Sequence, residues 1–154
     1  MPTEIAKVPL IIMADDDADD RLLVREAAAE CAISANVVFV EDGVDLMDYL
    51  YRRGSHANRI RQSPAFILLD LNMPKKGGCE ALLEIKSEPT LRHIPVVVLT
   101  TSNAERDIIR SYRLGANSYI QKPDTFEGLV DVVKTLQKYW LNTAIVPITD
   151  LEGQ

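Results

Sequence analysis

The chain has 154 residues, 47% of them hydrophobic and 26% charged, and a formal net charge of −6. That length suits one domain with a core of its own, the acidic balance argues against non-specific nucleic-acid binding, and no apolar run approaches the ~18 residues of a membrane span. Cys31 and Cys79 form neither a C-x-x-C pair nor a disulfide framework, and the N-terminus lacks the basic-then-apolar order of a signal peptide, so a reducing cytoplasm is the expected setting.

Residues 1–7 are a short polar lead. Residues 8–14 (VPLIIMA) read as a buried strand that ends in aspartates; Asp15, Asp16, Asp17, Asp19 and Asp20 follow within six residues. From about 18 to 31, Val24, Ala27, Ala28 and Cys31 recur at the spacing of an amphipathic helix, and the aspartates at its start favour the positive end of the helix dipole. Residues 36–40 (NVVFV) are a short β-branched strand. Asp42-Gly43 turns the chain into a second helix marked by Val44, Met47 and Tyr51, with Leu46 and Leu50 beside them and Gly54 as its stop. Residues 52–64 (RRGSHANRIRQSP) read as a basic, solvated loop.

Residues 65–70 form a central strand, buried on both faces, that ends in Asp70 and is closed by Pro74, which has no N–H for the ladder. A turn at 75–78 (KKGG) leads into a helix over 79–87 with Leu82 and Ile85 inward. Residues 94–100 (IPVVVLT) are a fourth strand ending in Thr100. Ser102, with Glu105 three residues on, reads as a capping box for a fourth helix ending near Leu114 and Gly115. Residues 117–121 (NSYIQ) are a fifth strand, followed by Lys122-Pro123. The last helix carries Phe126, Leu129, Val133, Leu136 and Trp140 at helical spacing. The tail from 142 to 154 holds Ile145, Val146 and Ile148 but no helix signal.

Strands alternating with helices, each strand apolar throughout, predict an α/β fold with a parallel sheet covered on both faces. The expected architecture is the flavodoxin-like (βα)5 doubly wound sheet with strand order 2-1-3-4-5. In such a sheet all strand carboxyl ends share one edge, where ligands bind. That edge gathers Asp15, Asp16, Asp70, Thr100 and Lys122. Two unit charges ~4 Å apart repel by roughly 4 kcal/mol at an effective dielectric of about 20, so three crowded carboxylates require an offset. A hard divalent cation such as Mg²⁺ supplies it and keeps positions open for water or a phosphate oxygen. With a lysine and a hydroxyl alongside, the set forms a receptor for a phosphoryl group. A carboxylate there can also act as a nucleophile and form an acyl phosphate. The chain has no G-x-G-x-x-G and no G-x-x-x-x-G-K-[ST] loop, so the phosphoryl donor is expected to be another protein or a small phosphodonor.

Asp15-Asp16 after the first strand, Leu69-Asp70-Leu71-Asn72-Met73-Pro74, Thr100, Tyr119 and Lys122-Pro123 stand in the order of the receiver domain of two-component response regulators, which the chain resembles over about residues 8–141. The stretches LLDLNMPKKGG, IPVVVLTTS and YWLNTAIVP are most similar to the small stand-alone regulators paired with phytochrome histidine kinases. The resemblance implies an N-terminal lead at 1–7, a receiver domain at 8–141 and a tail at 142–154. It implies that Asp70 accepts a phosphoryl group from a kinase phosphohistidine. It implies that Asp16, Asp70 and the backbone carbonyl of Asn72 ligate Mg²⁺ (Mn²⁺ as an alternative), with Asp15 helping directly or through water. Lys122 would pair with Asp70 or its phosphoryl oxygens, Thr100 would swing toward the phosphate, Tyr119 would move inward behind it, and the Lys122–Pro123 bond would be cis.

The implied protein is a cytoplasmic signalling phosphoprotein rather than an enzyme, with slow self-dephosphorylation and output by protein contact or phosphorelay. Its partners would be a sensor histidine kinase and an unknown downstream protein, with neither nucleic acid nor membrane. A homodimer through the face of helix 4, strand 5 and helix 5, where Tyr112 and Tyr119 fall, is also implied. Gly77, Thr101 and Asp124 depart from the residues common at their positions in the family. Two rival readings stand beside this one. A Mg²⁺-dependent aspartyl-phosphate phosphohydrolase usually carries a second acid two residues after its nucleophile, where this chain has Asn72. A phosphate-blind scaffold would have no need of the Asp, Thr and Lys set. Asp17, Asp19 and Asp20 are expected to be a solvated helix start, and His56 and His93 surface or loop residues. Trp140 and the apolar tail read equally as core packing or as a dimer contact.

Overall fold

Four short apolar runs and a more polar fifth, SYIQ, build one parallel sheet of order β2-β1-β3-β4-β5. The strands are β1 (Leu10–Ala14), β2 (Asn36–Val40), β3 (Phe66–Leu69), β4 (Val96–Thr100) and β5 (Ser118–Gln121). They alternate with α1 (Ala18–Glu30), α2 (Gly43–Tyr51), α3 (Gly78–Ser87), α4 (Glu105–Arg113) and α5 (Phe126–Leu136). This computed structural model describes residues 8–147; the lead at 1–7 and the end of the tail, with Ile148, lie outside the described residues. The flavodoxin-like order expected from the alternation is the one observed.

The three central strands are buried along their whole length, β1, β3 and β4 alike, so successive side chains feed two separate cores. On one face Leu10, Ile12, Ala14, Ile67, Leu69, Val96 and Val98 pack against Leu46, Met47 and Leu50 of α2 and Ala81, Leu82 and Ile85 of α3. On the other, Ile11, Met13, Phe66, Leu68, Val97 and Leu99 pack against Val24 and Ala27 of α1 and Leu129, Val130, Val133 and Leu136 of α5. Apolar residues on alternate faces are what a parallel sheet between two helix layers demands. α4 is the exception, because Ser111 is its one buried residue among nine, while Ile109 and Tyr112 are exposed.

The structure differs from the sequence reading at several element ends. Ser102 does not cap α4. The helix starts at Glu105, after Ala104, because the Ser102 hydroxyl donates instead to Asp107 Oδ2 at 2.6 Å and accepts from Ala104 N–H. Gly54 does not end α2 either. Arg52 takes the left-handed conformation there at φ 54°, and Gly54, at φ 62°, opens a 3₁₀ turn over Gly54–His56. The basic stretch after α2 is pinned to that helix: Arg53 pairs with Asp48 at 2.7 Å, His56 Nε2 lies 2.7 Å from Asp45 Oδ1, and Arg59 stacks on the Tyr49 ring. His93 likewise has a partner, Ser63 Oγ at 2.9 Å. Phe126 is exposed rather than part of the α5 core stripe. A π-helical turn over Gln137–Thr143 carries α5 into the tail, and it packs the half-buried Trp140 against Phe66 and Tyr139.

The loop after β3 is held from two sides, and both contacts use glycines where no side chain fits. A Cβ on Gly43 would meet the Lys76 carbonyl at 2.3 Å, and one on Gly78 would meet the Asp70 carbonyl at 2.3 Å. Gly43 N–H donates to Lys76 O at 3.0 Å and Gly78 N–H to Leu71 O at 3.0 Å. The start of α3 therefore lies directly against the end of β3. Overpacking of this kind costs about 1–3 kcal/mol. Gly78→Ala is expected to lower the unfolding free energy by that amount, read as a lower urea midpoint at an unchanged denaturant slope; a midpoint equal to the parent's would contradict the close approach.

Candidate functional site

Register brings the carboxyl ends of the strands level. Ala14 pairs with Leu69, and Leu69 with Val98, so Asp15 and Asp70, each one residue further on, emerge side by side. The ladder continues one bond past each strand: Asp15 N–H donates to Val40 O, Asp70 N–H to Ala14 O, and Lys122 N–H to Thr100 O. The backbones that carry these side chains are thus fixed by sheet hydrogen bonds, as a site built on rigid elements requires.

Asp15 and Thr100 are wholly buried and Asp70 is 7% exposed. Thr100 Oγ1 donates to Asp70 Oδ1 at 2.9 Å, and Asn72 N–H reaches the same oxygen at 3.3 Å. The Lys122 ammonium donates to Asp15 Oδ2 at 2.8 Å, to Asp20 Oδ2 at 2.7 Å and to Asp70 Oδ2 at 3.2 Å. Burial alone would lower the pKa of Lys122, but its hydrogen bonds to Asp15 and Asp20 and the nearby charge of Asp70 outweigh it, and the ammonium titrates well above the ordinary lysine range. For Asp15 the balance falls the other way. Burial raises its pKa, and the Lys122 hydrogen bond offsets this only in part.

Asp15, Asp16 and Asp70 each offer an oxygen, and the three oxygens lie within 4.8 Å of one another. Lys122 reaches two of these three, Asp15 and Asp70, and Asp15 is cut off from water. An all-oxygen, carboxylate-rich set with an exposed member, Asp16, fits a hard divalent cation that retains open coordination positions. The residues present therefore suit such an ion.

The structure brings together Asp15, Asp16, Asp70, Thr100 and Lys122, as their strand-end positions predict. Tyr119 stands one step back: its hydroxyl donates to the Ser102 carbonyl at 2.8 Å, in the loop that follows Thr100, and its N–H donates to Tyr112 Oη. The Lys122–Pro123 bond is trans, contrary to the cis expectation. Trans is the lower-energy isomer even before proline, and from it the lysine already reaches three carboxylates. The three departures from the family pattern leave the cluster intact. Gly77 opens α3 with its N–H bonded to Glu80 Oε1, while Thr101 and Asp124 are exposed.

Asp20 is the residue the sequence reading missed. The run of acids reads as a solvated helix start, yet Asp20 makes the shortest contact with Lys122. Asp17 caps α1, accepting from Asp19 N–H at 2.8 Å and Asp20 N–H at 3.4 Å, which puts Asp20 on the first turn. The signal was present: extending the core stripe of Val24, Ala27 and Ala28 back by one turn lands on Asp20. Arg21 was also unmarked, and its guanidinium donates to the Asp15 carbonyl at 2.7 Å.

Comparisons with known proteins give matches over most of the chain. The family model described as the response regulator receiver domain matches residues 11–134. Response regulator Rcp1 of Synechocystis sp. is 41% identical over 138 residues, covering 90% of this chain and 92% of Rcp1. Among solved structures, the phosphorylated cyanobacterial phytochrome response regulator RcpA superposes with a TM-score of 0.84 at 46% identity, covering 91% of this chain and 99% of RcpA. The Mn²⁺-bound form of Rcp1 gives a TM-score of 0.82 at 40% identity, covering 90% and 99%.

The crowding of carboxylates makes a direct prediction. Adding Mg²⁺ or Mn²⁺ should stabilise the chain, by about 2.7 kcal/mol at a hundredfold excess over the dissociation constant. Asp16→Asn should abolish most of that gain without lowering the metal-free stability, because it removes a ligand and a repulsive charge together. Urea midpoints with and without the ion measure both effects, and a metal-dependent gain that survives in Asp16→Asn would contradict the ligand set.

Proposed function

The chain belongs to the response regulator receiver domain family, and from that membership we propose that Asp70 is its phosphoacceptor, charged by the phosphohistidine of a sensor histidine kinase. The observation that carries the reading is the reception around one carboxylate. Thr100 holds one oxygen of Asp70, Lys122 reaches the other, and two further carboxylates complete an oxygen cage beside it. An Asp70 oxygen attacks phosphorus; the new O–P bond forms as the N–P bond of the phosphohistidine breaks, and its electron pair leaves with the imidazole. Thr100 and Lys122, which now bond the carboxylate itself, turn to the phosphoryl oxygens and stabilise the charge there.

Asp15, Asp16 and Asp70, with the backbone carbonyl of Asn72, would hold Mg²⁺. When bound, the ion neutralises charge shared by the carboxylates and the transferring phosphoryl group. Hydrolysis of the aspartyl phosphate by water is slow, so the chain works as a switch and not as a turnover catalyst. Nothing in the geometry favours the phosphohydrolase: Asn72 offers Asp70 a backbone N–H and no second acid.

The switch would run through the loop after β4. Thr100 ends β4 just before that loop, the Tyr119 hydroxyl holds the loop at Ser102, and Ser102 holds Asp107 on α4. A pull on Thr100 would release this chain, let Tyr119 move inward and re-face α4, the helix with least buried surface, as one member of a two-state equilibrium. α4, β5 and α5 then offer the exposed Ile109, Tyr112 and neighbouring Tyr139 to a downstream protein or a second copy. The names of the relatives point to a phytochrome-type kinase as the donor. No helix among the described residues is long and apolar enough to cross a membrane, which fits our proposal of a cytoplasmic site of action.

Incubation with Mg²⁺ and radiolabelled acetyl phosphate is expected to label the chain at one acid-stable, base-labile position. Asp70→Asn is expected to abolish the label while the far-ultraviolet circular dichroism stays that of the parent. Labelling that persists in Asp70→Asn would remove the assignment.

A further inference from the structure

The contacts of Lys122 are uneven in an informative way. An ammonium has three N–H donors and no acceptor, and here three carboxylates take them. The two shorter contacts, 2.7 and 2.8 Å, go to Asp20 and Asp15; the longest, 3.2 Å, goes to Asp70. Asp15 belongs to the group of oxygens able to hold a cation, and Asp20 does not. A bound divalent ion would therefore draw on the charge and lone pairs of Asp15 and weaken its hold on the lysine. It would leave the hold of Asp20 largely unchanged. Asp20 is also fixed in place, on the first turn of a helix whose N-terminus is capped by Asp17.

We propose that Asp20 is a positioning residue that holds the Lys122 ammonium back from Asp70 and so limits how strongly the lysine engages a phosphoryl group there. This rests on the phosphoacceptor reading of Asp70. In the metal-loaded protein Asp20 is the carboxylate that competes with the phosphoryl oxygens for the same donors. Removing its charge frees the lysine to turn fully to the phosphorylated side chain. The consequence is opposite in sign to the loss of an ordinary structural ion pair: the site should bind phosphoryl analogues better.

The test uses the full chain and three variants. Asp20→Asn removes the contact, Asp20→Glu restores a carboxylate, and Asp19→Asn removes the same charge from the neighbouring, exposed position. Beryllofluoride with Mg²⁺ is the probe, titrated by fluorine NMR. Asp20→Asn is expected to tighten its apparent dissociation constant by about threefold to fivefold, the range that a partly exposed ion pair supports. Asp20→Glu should return the value toward the parent's, and Asp19→Asn should leave it unchanged. A second readout needs neither metal nor phosphoryl analogue: hydrogen exchange of the Lys122 ammonium, followed by nitrogen NMR in metal-free protein, should speed up in Asp20→Asn alone. Should Asp20→Asn fail to fold, Asp20→Ser serves in both measurements. Equal effects of Asp20→Asn and Asp19→Asn, or weaker beryllofluoride binding in Asp20→Asn, would overturn the proposal. If the parent chain binds no beryllofluoride, the phosphoacceptor reading fails, and unchanged Lys122 exchange in Asp20→Asn then overturns the positioning role separately.

Discussion

One ammonium surrounded by carboxylates sets the character of this molecule. Asp15, Asp16, Asp20 and Asp70 converge on the carboxyl edge of the sheet, and Lys122 is the cation that meets three of them. The sheet forces the convergence, since parallel strands in register deliver their last residues to one line. Like charges so close are unfavourable, and a folded chain tolerates them only because the two cores beneath hold the backbone in place. The site is therefore a place of stored electrostatic tension. That tension draws in a divalent cation, and it leaves Asp70 with donors on both oxygens.

In our proposal the lysine's allegiance connects the cluster to signalling. In the structure it favours Asp15 and Asp20 over Asp70, and Thr100 occupies the other oxygen of Asp70. Phosphorylation would add roughly two negative charges where those donors meet. Two residues along the chain from Thr100, Ser102 accepts from the Tyr119 hydroxyl at its carbonyl and donates its own hydroxyl to Asp107. Asp107 lies on α4, whose polar surface and shallow burial make it the helix most easily re-oriented. In the proposed switch, a rigid acceptor site and a loosely seated helix would be complementary parts.

Much of this is legible in the sequence. Near-continuous apolar runs such as Phe66–Leu69 and Val96–Thr100 announce strands buried on both faces, and their alternation with helices limits the topology. Asp15, Asp70 and Thr100 follow from position alone, because each stands at the end of such a run, and Lys122 follows because it stands directly after the fifth strand. What could not be read depends on where side chains spend their hydrogen bonds. Ser102 resembles a helix cap in sequence, but its hydroxyl is bonded to Asp107. Asp20 resembles a solvated acid in a run of acids; its place one turn before Val24 on the α1 stripe hints at the site, but its bond to Lys122 shows only in the structure. The proline after Lys122 suggested a cis bond, whereas the trans chain delivers the lysine equally well.

The central claim is that Asp70 carries the phosphoryl group, and chemical trapping tests it most directly. An aspartyl phosphate is reduced by borohydride to homoserine, while free carboxylates are not. After phosphorylation with acetyl phosphate and Mg²⁺, reduction and peptide sequencing by mass spectrometry should find homoserine at position 70. Homoserine at Asp15, Asp16 or Asp20 instead, or at no position in a chain that had taken up phosphate, would contradict the account.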